Sequence, residues 1–234
     1  MNVGAETSVG RVRRTNEDAF WTGDRVLIVC DGMGGHRAGE VASAMAVEAI
    51  RSFPFRFQDP EAEVREAILQ AHARIAQASA ANAEMAGMGT TVTMAVCLET
   101  DSGADVTVGH VGDSRAYYYA DGQLHRITND HSVVGELTRQ GTLSPEEAVL
   151  HPQRHVLCQA LGISEVEVEL HRLMLPFGSL IVICTDGLTD VLADDQIKEH
   201  VACFPPQEAA RRLVELANSL GGRDNVTVIV AQVP

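Results

Sequence analysis

The chain has 234 residues, of which 45% are hydrophobic and 21% charged, the composition of a soluble globular protein large enough to fold without disulfides. Its net charge of −14 argues against nucleic acid as a partner, because proteins that bind nucleic acid usually present a basic face. No apolar run is long enough to span a bilayer and Met1–Gly10 lacks a signal-peptide pattern, so we expect a cytoplasmic protein without membrane contact.

The first third of the chain predicts one strand followed by two helices. Val26–Cys30 is a short, β-branched, apolar run that ends at Asp31-Gly32, as a strand running into a turn would. A helix should start at about Gly39, because the apolar residues from Ala42 to Phe53 fall on one helical face. A second helix should follow Asp59-Pro60, since aspartate is a good N-cap and proline suits the first turn.

The remaining two thirds predict mostly strands, with a helix pair near the end. The predicted strands are Thr90–Glu99, Asp105–Val111, Arg115–Ala120, Gln123–Ile127, Val166–Leu173, Ser179–Cys184 and Asn225–Val233; a helical, loop-rich stretch covers Ser132–Leu161, and helices lie near Asp194–Ala202 and Pro206–Leu220. Short Asp-Gly connections imply antiparallel pairing. We therefore predict an α+β fold, a sandwich of two antiparallel sheets with a helix pair outside each, as one domain over residues 1–234.

Four aspartates stand where a long apolar run meets a turn: Asp31, Asp113, Asp186 and Asp224. Taken singly, each is explained by a turn, because Asp-Gly is a common turn pair. Taken together, they indicate a cation site, since neighbouring strand ends bring carboxylates together and crowded carboxylates stay ionised only beside cations. Ligands that are all oxygen select hard ions such as Mg²⁺ or Mn²⁺.

Two segments beside these aspartates carry further candidates. Asp31-Gly32-Met33-Gly34-Gly35-His36 allows close backbone approach to a metal, and His36 suits a general acid or a ligand. The alternative is a glycine-rich turn that opens the next helix. Arg11, Arg13 and Arg14 precede Glu17-Asp18, and one arginine would bind a phosphate through two N–H groups; the alternative is a solvated basic turn.

Seven segments, in one order from Arg13 to Thr227, make the pattern specific. They are Arg13-x-x-Asn16-Glu17-Asp18, Val29-Cys30-Asp31-Gly32-Met33-Gly34-Gly35-His36, Met88-Gly89-Thr90-Thr91, Val111-Gly112-Asp113-Ser114-Arg115, Asp130-His131, Cys184-Thr185-Asp186-Gly187-Leu188 and Gly222-Arg223-Asp224-Asn225-Val226-Thr227. Together they resemble the PPM family, the metal-dependent type 2C protein serine/threonine phosphatases, and the length resembles the compact bacterial members. Thr185 stands where the family usually has serine, which keeps the hydroxyl.

The resemblance implies a role for each candidate. Asp31 would bridge two metals, with the Gly32 carbonyl on one of them. Asp186 and Asp224 would complete the shell of the other ion, and Asp113 with Asp186 resembles the third-metal site of bacterial members. Arg13 would bind the substrate phosphate and His36 would protonate the leaving alkoxide, while Glu17 and Asp18 would hold metal-bound waters.

The same resemblance implies an activity and partners. We expect two or three Mg²⁺ or Mn²⁺ ions, hydrolysis of phosphoserine and phosphothreonine by a metal-bridging hydroxide, and a variable flap at about residues 133–161. Phosphoprotein substrates, a serine/threonine kinase by analogy, and a monomeric state follow. Two alternatives stay open: a two-metal hydrolase of small phosphoesters, which the residues alone would equally support, and a non-catalytic regulator on the same fold.

Overall fold

The computed structural model describes residues 1–34, 38–163 and 165–233. Its strands are β1 (Asn2–Ser8), β2 (Asp18–Thr22), β3 (Val26–Met33), β4 (Gly89–Thr90), β5 (Val92–Thr100), β6 (Gly103–Val111), β7 (Arg115–Ala120), β8 (Gln123–Arg126), β9 (Glu169–Pro176), β10 (Leu180–Cys184) and β11 (Val226–Gln232). Its helices are α1 (Ala38–Arg51), α2 (Pro60–Ala81), α3 (Val133–Arg139), α4 (Pro145–Leu150), α5 (Asp186–Thr189), α6 (Asp194–Cys203) and α7 (Pro206–Ser219), with a short 3₁₀ turn at Ala83–Met85.

The strands form two sheets that pack face to face. One has the order β1-β11-β10-β7-β8; the other has the order β2-β3-β5-β6-β9, with β4 paired to β3. The pairings between these strands are antiparallel. The predicted two-sheet α+β architecture is therefore confirmed.

Alternation along each strand produces three apolar layers. In β3, Leu27 and Val29 point into the core between the sheets, whereas Ile28 and Cys30 point outward beneath α1 and α2. The outer face of the other sheet packs against α6 and α7 in the same way. Because both faces of each sheet are covered, the central strand β10 is apolar at every position.

Helix α2 begins where the sequence predicts. The Asp59 side chain accepts a hydrogen bond from the Ala62 N–H at 3.2 Å, and Pro60 occupies the first turn. Its apolar face, which runs from Val64 to Ile75, is fully buried. No helix in the described part of the chain is both long enough and apolar enough to cross a membrane.

The structure differs from the sequence prediction at β1, β2 and β9, and it divides the predicted strand Thr90–Glu99 into β4 and β5. Strands β1 and β2 were not predicted, because their half-buried residues show neither a clean alternation nor a continuous apolar run. The strand predicted at Val166–Leu173 is wrong in its bounds, since β9 covers Glu169–Pro176. Its ladder with β6 runs from the His110–Glu169 pair to the Gly103–Pro176 pair, so the register with the neighbour, not local propensity, sets its ends.

Candidate metal centre

The candidate aspartates meet at one edge of the sandwich. Asp31 lies near the end of β3, and Asp18 stands opposite it in the β2–β3 ladder. Asp186 begins α5 directly after β10, and Asp224 lies just before β11. Asp113 occupies the turn between β6 and β7. A cavity of about 540 Å³ opens at this edge, and its lining includes Arg13, Glu17, Asp31, Gly32, Asp113, Asp186 and Asp224.

Crowding and burial perturb these carboxyl groups. Burial, followed by the charges of Asp18, Asp186 and Asp113, raises the pKa of Asp31 well above its usual range. Burial and the charges of Asp190 and Asp224 raise the pKa of Asp186 to about 7. The carboxyl groups of Asp31 and Asp186 are close enough for each to perturb the pKa of the other.

Asp18 lies behind this pair and is only half satisfied. Its Oδ2 accepts hydrogen bonds from the hydroxyls of Thr185, at 3.0 Å, and Thr227, at 2.7 Å. Its Oδ1 is shielded from solvent and has no partner among the described residues. Burial raises the pKa of Asp18 to about 7, although the two threonine hydrogen bonds oppose the shift. An unsatisfied buried carboxylate oxygen in an oxygen-lined cluster fits a cation or a cation-bound water.

Arg13 and Glu17 stand at the rim of the cavity. The Arg13 guanidinium pairs with Asp224, with 2.6 Å between Nη2 and Oδ2, and its side chain is 49% exposed. Burial and the charge of Asp224 raise the pKa of Glu17, while Arg13 opposes the shift. The guanidinium is therefore held close to the carboxylates yet accessible from solvent.

Two glycines permit the close approach of α1 to this edge. A Cβ on Gly32 would lie 2.1 Å from the carbonyl oxygen of Gly39, and a Cβ on Gly39 would lie 2.9 Å from the Glu17 carboxyl carbon. The Gly32 N–H donates to the Glu17 carbonyl at 3.1 Å, which ties β3 to the arginine-bearing loop. His36, the predicted general acid, lies outside the described residues.

Sequence reasoning gave no role to three residues that shape the site. Asn225 accepts from the Glu17 N–H at 2.8 Å and donates to the carbonyls of Val9 and Thr15, so it fastens the arginine-bearing loop. The Thr91 hydroxyl accepts from the Asp31 N–H at 2.9 Å. Asp190 follows Asp186 by one helical turn. The spacing of Asp186 and Asp190, four residues apart on one helix face, was the available signal.

The segment from Val133 to Leu161 borders the cavity. It contains α3 and α4, and the lining of the cavity includes His155, Leu157 and Cys158 from it. The His155 Nδ1 atom lies 3.6 Å from Asp190 Oδ2. Ligand-type atoms of His155, Asp186 and Asp190 all lie within 4.8 Å of one another, a spacing that would accept a cation.

The known proteins to which this chain is similar include serine/threonine phosphatases. Residues 8–223 match the family model described as protein phosphatase 2C. The serine/threonine protein phosphatase PstP of Mycobacterium tuberculosis is 38% identical over 239 residues, covering 100% of this chain and 45% of PstP, so the chain spans about half the length of that relative. The serine/threonine phosphatase stp of Listeria monocytogenes is 35% identical over 246 residues, covering 99% of this chain and 96% of the relative.

A solved structure of one of these phosphatases has the same fold as this chain. The catalytic domain of PstP, in complex with two manganese ions, superposes with a TM-score of 0.90 at 36% identity, covering 99% of this chain and 97% of that one. Sequence and fold both identify the same family. The chain belongs to the protein phosphatase 2C family, the PPM family that its motifs resemble.

Proposed function

We propose that this chain is a metal-dependent protein serine/threonine phosphatase, which hydrolyses phosphoserine and phosphothreonine in other proteins. The observation that carries the proposal is the half-buried cluster of Asp18, Asp31, Asp113 and Asp186, in which the pKa of every carboxyl group is raised. None of the four has a salt bridge to an arginine or lysine within the described part of the chain. Bound cations would supply the missing compensation.

The donor set fits Mg²⁺ or Mn²⁺, since it consists of carboxylate and carbonyl oxygens. Asp31, Asp186, Asp224 and the Gly32 carbonyl would hold two ions, and Asp113 with Asp186 would hold a third. Bound there, the ions act as Lewis acids that lower the pKa of coordinated water and neutralise the charge on phosphoryl oxygens.

The residues around the cluster would orient the substrate and water. Arg13 has the reach and exposure to leave Asp224 and bind two phosphate oxygens at the rim. The threonines that donate to Asp18 Oδ2 leave its Oδ1 to accept from a water inside the cluster, and Glu17 is placed to hold another. His36 would deliver the proton that a serine or threonine alkoxide needs in order to leave.

The substrate class is inferred from the relatives rather than from the residues. Relatives named as serine/threonine protein phosphatases support phosphoproteins as substrates, and with them a kinase that phosphorylates the same proteins. We place the protein in the cytoplasm and expect it to act as a monomer.

A panel of substrates tests the proposal. Chelator-treated protein, with and without added Mn²⁺, is assayed on a phosphothreonine peptide, on the same peptide carrying phosphotyrosine, and on a small phosphodiester. We expect hydrolysis of the phosphothreonine peptide that depends on the metal and exceeds the other two. A preference for the phosphodiester would replace this function with that of a small-ester hydrolase. No turnover of any substrate with Mn²⁺ bound would indicate a non-catalytic regulator.

A further inference from the structure

A second cluster of titratable side chains, His110, His131 and Glu169, lies behind the turn that carries Asp113. Its ligand-type atoms lie within 4.8 Å of one another, the spacing of a metal site. The ring nitrogens are nevertheless in use. His110 contacts the Thr93 hydroxyl through Nδ1 at 2.8 Å and the Gly112 carbonyl through Nε2 at 2.9 Å. The cluster is therefore a hydrogen-bond network and not a vacant metal site.

The contacts of His131 define its tautomer. The Gly112 N–H donates to His131 Nδ1 at 3.2 Å, so this nitrogen is unprotonated. The proton is then on Nε2, which lies 2.9 Å from Glu169 Oε2 and donates to it. Glu169 is itself fixed, because Asn129 donates to it through its backbone and side chain and His171 contacts its other oxygen.

Gly112 is the point on which this network acts. Its φ of +115° and the position of Thr91, whose Cγ2 would lie 2.6 Å from an added Cβ, require glycine here. Its carbonyl accepts from the His131 N–H at 2.7 Å as well as from His110. Both hydrogen-bonding groups of Gly112 are thus held by histidines, and the next residue is Asp113.

We propose that His131 is a positioning residue for Asp113. Glu169 holds its imidazole in the Nε2–H tautomer, so that Nδ1 accepts a hydrogen bond from the Gly112 N–H. This hydrogen bond orients the neighbouring Asp113 toward the cation cluster. The proposal rests on the proposed function in one respect, the role of Asp113 as a cation ligand.

The same residue joins this turn to the segment that borders the cavity. The His131 carbonyl accepts from the Cys158 N–H at 2.7 Å, and Ser132 pairs with Leu157 next to it. His131 therefore connects the segment from Val133 to Leu161 with the turn that carries Asp113.

Two substitutions at His131 test the contributions of its two ring nitrogens separately. In His131→Asn, the amide oxygen takes the place of Nδ1 and keeps an acceptor for Gly112, but nothing reaches Glu169. In His131→Gln, the longer side chain keeps a donor for Glu169 and loses the acceptor at Gly112. Both remove the ring, so a loss of packing affects them alike. His200→Ala, on α6, is the control for replacing a histidine elsewhere.

The readout is a calorimetric titration of each chelator-treated variant with Mn²⁺, followed by kcat and KM on a phosphothreonine peptide. We expect His131→Gln to weaken the weakest Mn²⁺ site by about 10–100-fold, the range for residues that orient metal ligands, and to lower kcat with little change in KM. The loss of Mn²⁺ affinity in His131→Asn should be several-fold smaller. Asp113→Asn should abolish that site, and adding His131→Gln to it should cost nothing further.

Equal losses in the Asn and Gln variants, or none in either, would overturn the proposal. So would an Asp113→Asn variant with all wild-type Mn²⁺ sites. An imidazole ¹⁵N spectrum of the unmodified protein tests the tautomer even if a variant does not fold: we expect Nε2–H at His131, and Nδ1–H would contradict us. A wild-type protein that binds Mn²⁺ but hydrolyses no phosphopeptide would refute the proposed function alone, because the binding comparison would still stand.

Discussion

Asp31 and Asp130 are both half-buried aspartates, and the charges that surround them are opposite in sign. Arg115 donates to both carboxylate oxygens of Asp130, at 3.1 and 2.8 Å, and Arg126 forms a second ion pair with it. Burial raises the pKa of Asp130, but these arginines outweigh it and hold the pKa below its usual range. Asp31 has carboxyl groups for neighbours instead, and its pKa is raised. Arginines of the chain compensate Asp130, whereas no arginine or lysine forms a salt bridge with Asp31 in the described part of the chain.

The largest expected effect is on catalysis at the uncompensated aspartate. Asp31→Asn should lower kcat on a phosphothreonine peptide by about 10³-fold or more, because it removes a ligand of ions that contribute several kcal/mol to the transition state. The metal-free variant should be at least as stable as the wild type, since repulsion in the cluster is relieved. Thermal unfolding in chelator and steady-state kinetics measure both. Wild-type kcat would mean that Asp31 is a turn residue.

The matched substitution at the compensated aspartate should behave in the opposite way. Asp130→Asn leaves two arginines facing a neutral amide, so we expect a loss of roughly 2–4 kcal/mol in the free energy of unfolding. Urea denaturation in chelator measures it. If Asp130→Asn and Asp31→Asn shift stability in the same direction, the contrast between the two sites is mistaken.

The two sites should also give opposite dependences on pH. Asp18 and Asp186 have pKa values of about 7 in the folded chain, against about 3.9 for an unfolded aspartate. The native state then binds more protons than the unfolded state, so the metal-free free energy of unfolding should fall as pH rises from about 5 to 8. Asp130, with its lowered pKa, contributes stability that is lost only on acidification through the pKa of the folded state.

Denaturation curves in chelator at several pH values measure this slope, and saturating Mn²⁺ is the control. Because the ions compensate the cluster, the fall in stability between about pH 5 and 8 should disappear when they are bound. A metal-free protein whose stability rises over that interval would contradict the raised pKa values of Asp18 and Asp186.

The smallest effect concerns the exposed ion pair between Arg13 and Asp224. In chelator, Arg13→Ala should change stability by less than about 1 kcal/mol, because exposed pairs contribute little. On a phosphothreonine peptide it should raise KM by about tenfold while kcat changes less, since the guanidinium binds the phosphate in the ground state and transition state alike. Arg13→Lys should recover part of the loss.

Arg11→Ala and Arg14→Ala are the matched controls for Arg13. Both are arginines of the same loop, and neither lines the cavity among the described residues. A larger rise in KM for either control would assign the phosphate contact to the wrong arginine.

The fold was predictable wherever a local sequence signal specifies an element. Val26–Cys30, the cap at Asp59 and the run of Arg115–Ala120 each specify an element locally, and those elements are confirmed. Strand β2 was missed because its pairing with β3, not its own composition, makes it a strand. The ends of β9 depend on its partner in the same way.

The candidate site was predictable as a set of residues but not as a network. The aspartates at strand ends could be named because charge beside an apolar run is conspicuous. Asn225 and Thr91 act by fastening backbone that is distant in sequence, and polar residues of those types are too common to single out. The roles assigned to the candidate residues stay predictions, for the aspartates and Gly32 as much as for Arg13, Glu17 and His36.

The measurement that tests the central claim most directly is a calorimetric titration of chelator-treated protein with Mn²⁺. It is carried out near pH 6.5 in two buffers that differ in ionisation enthalpy. If the raised carboxyl pKa values mark a cation site, binding must release protons, and the observed heat must depend on the buffer. Asp31→Asn should reduce both the stoichiometry and the proton release. Absence of Mn²⁺ binding, or binding that Asp31→Asn and Asp186→Asn leave unchanged, would contradict the account.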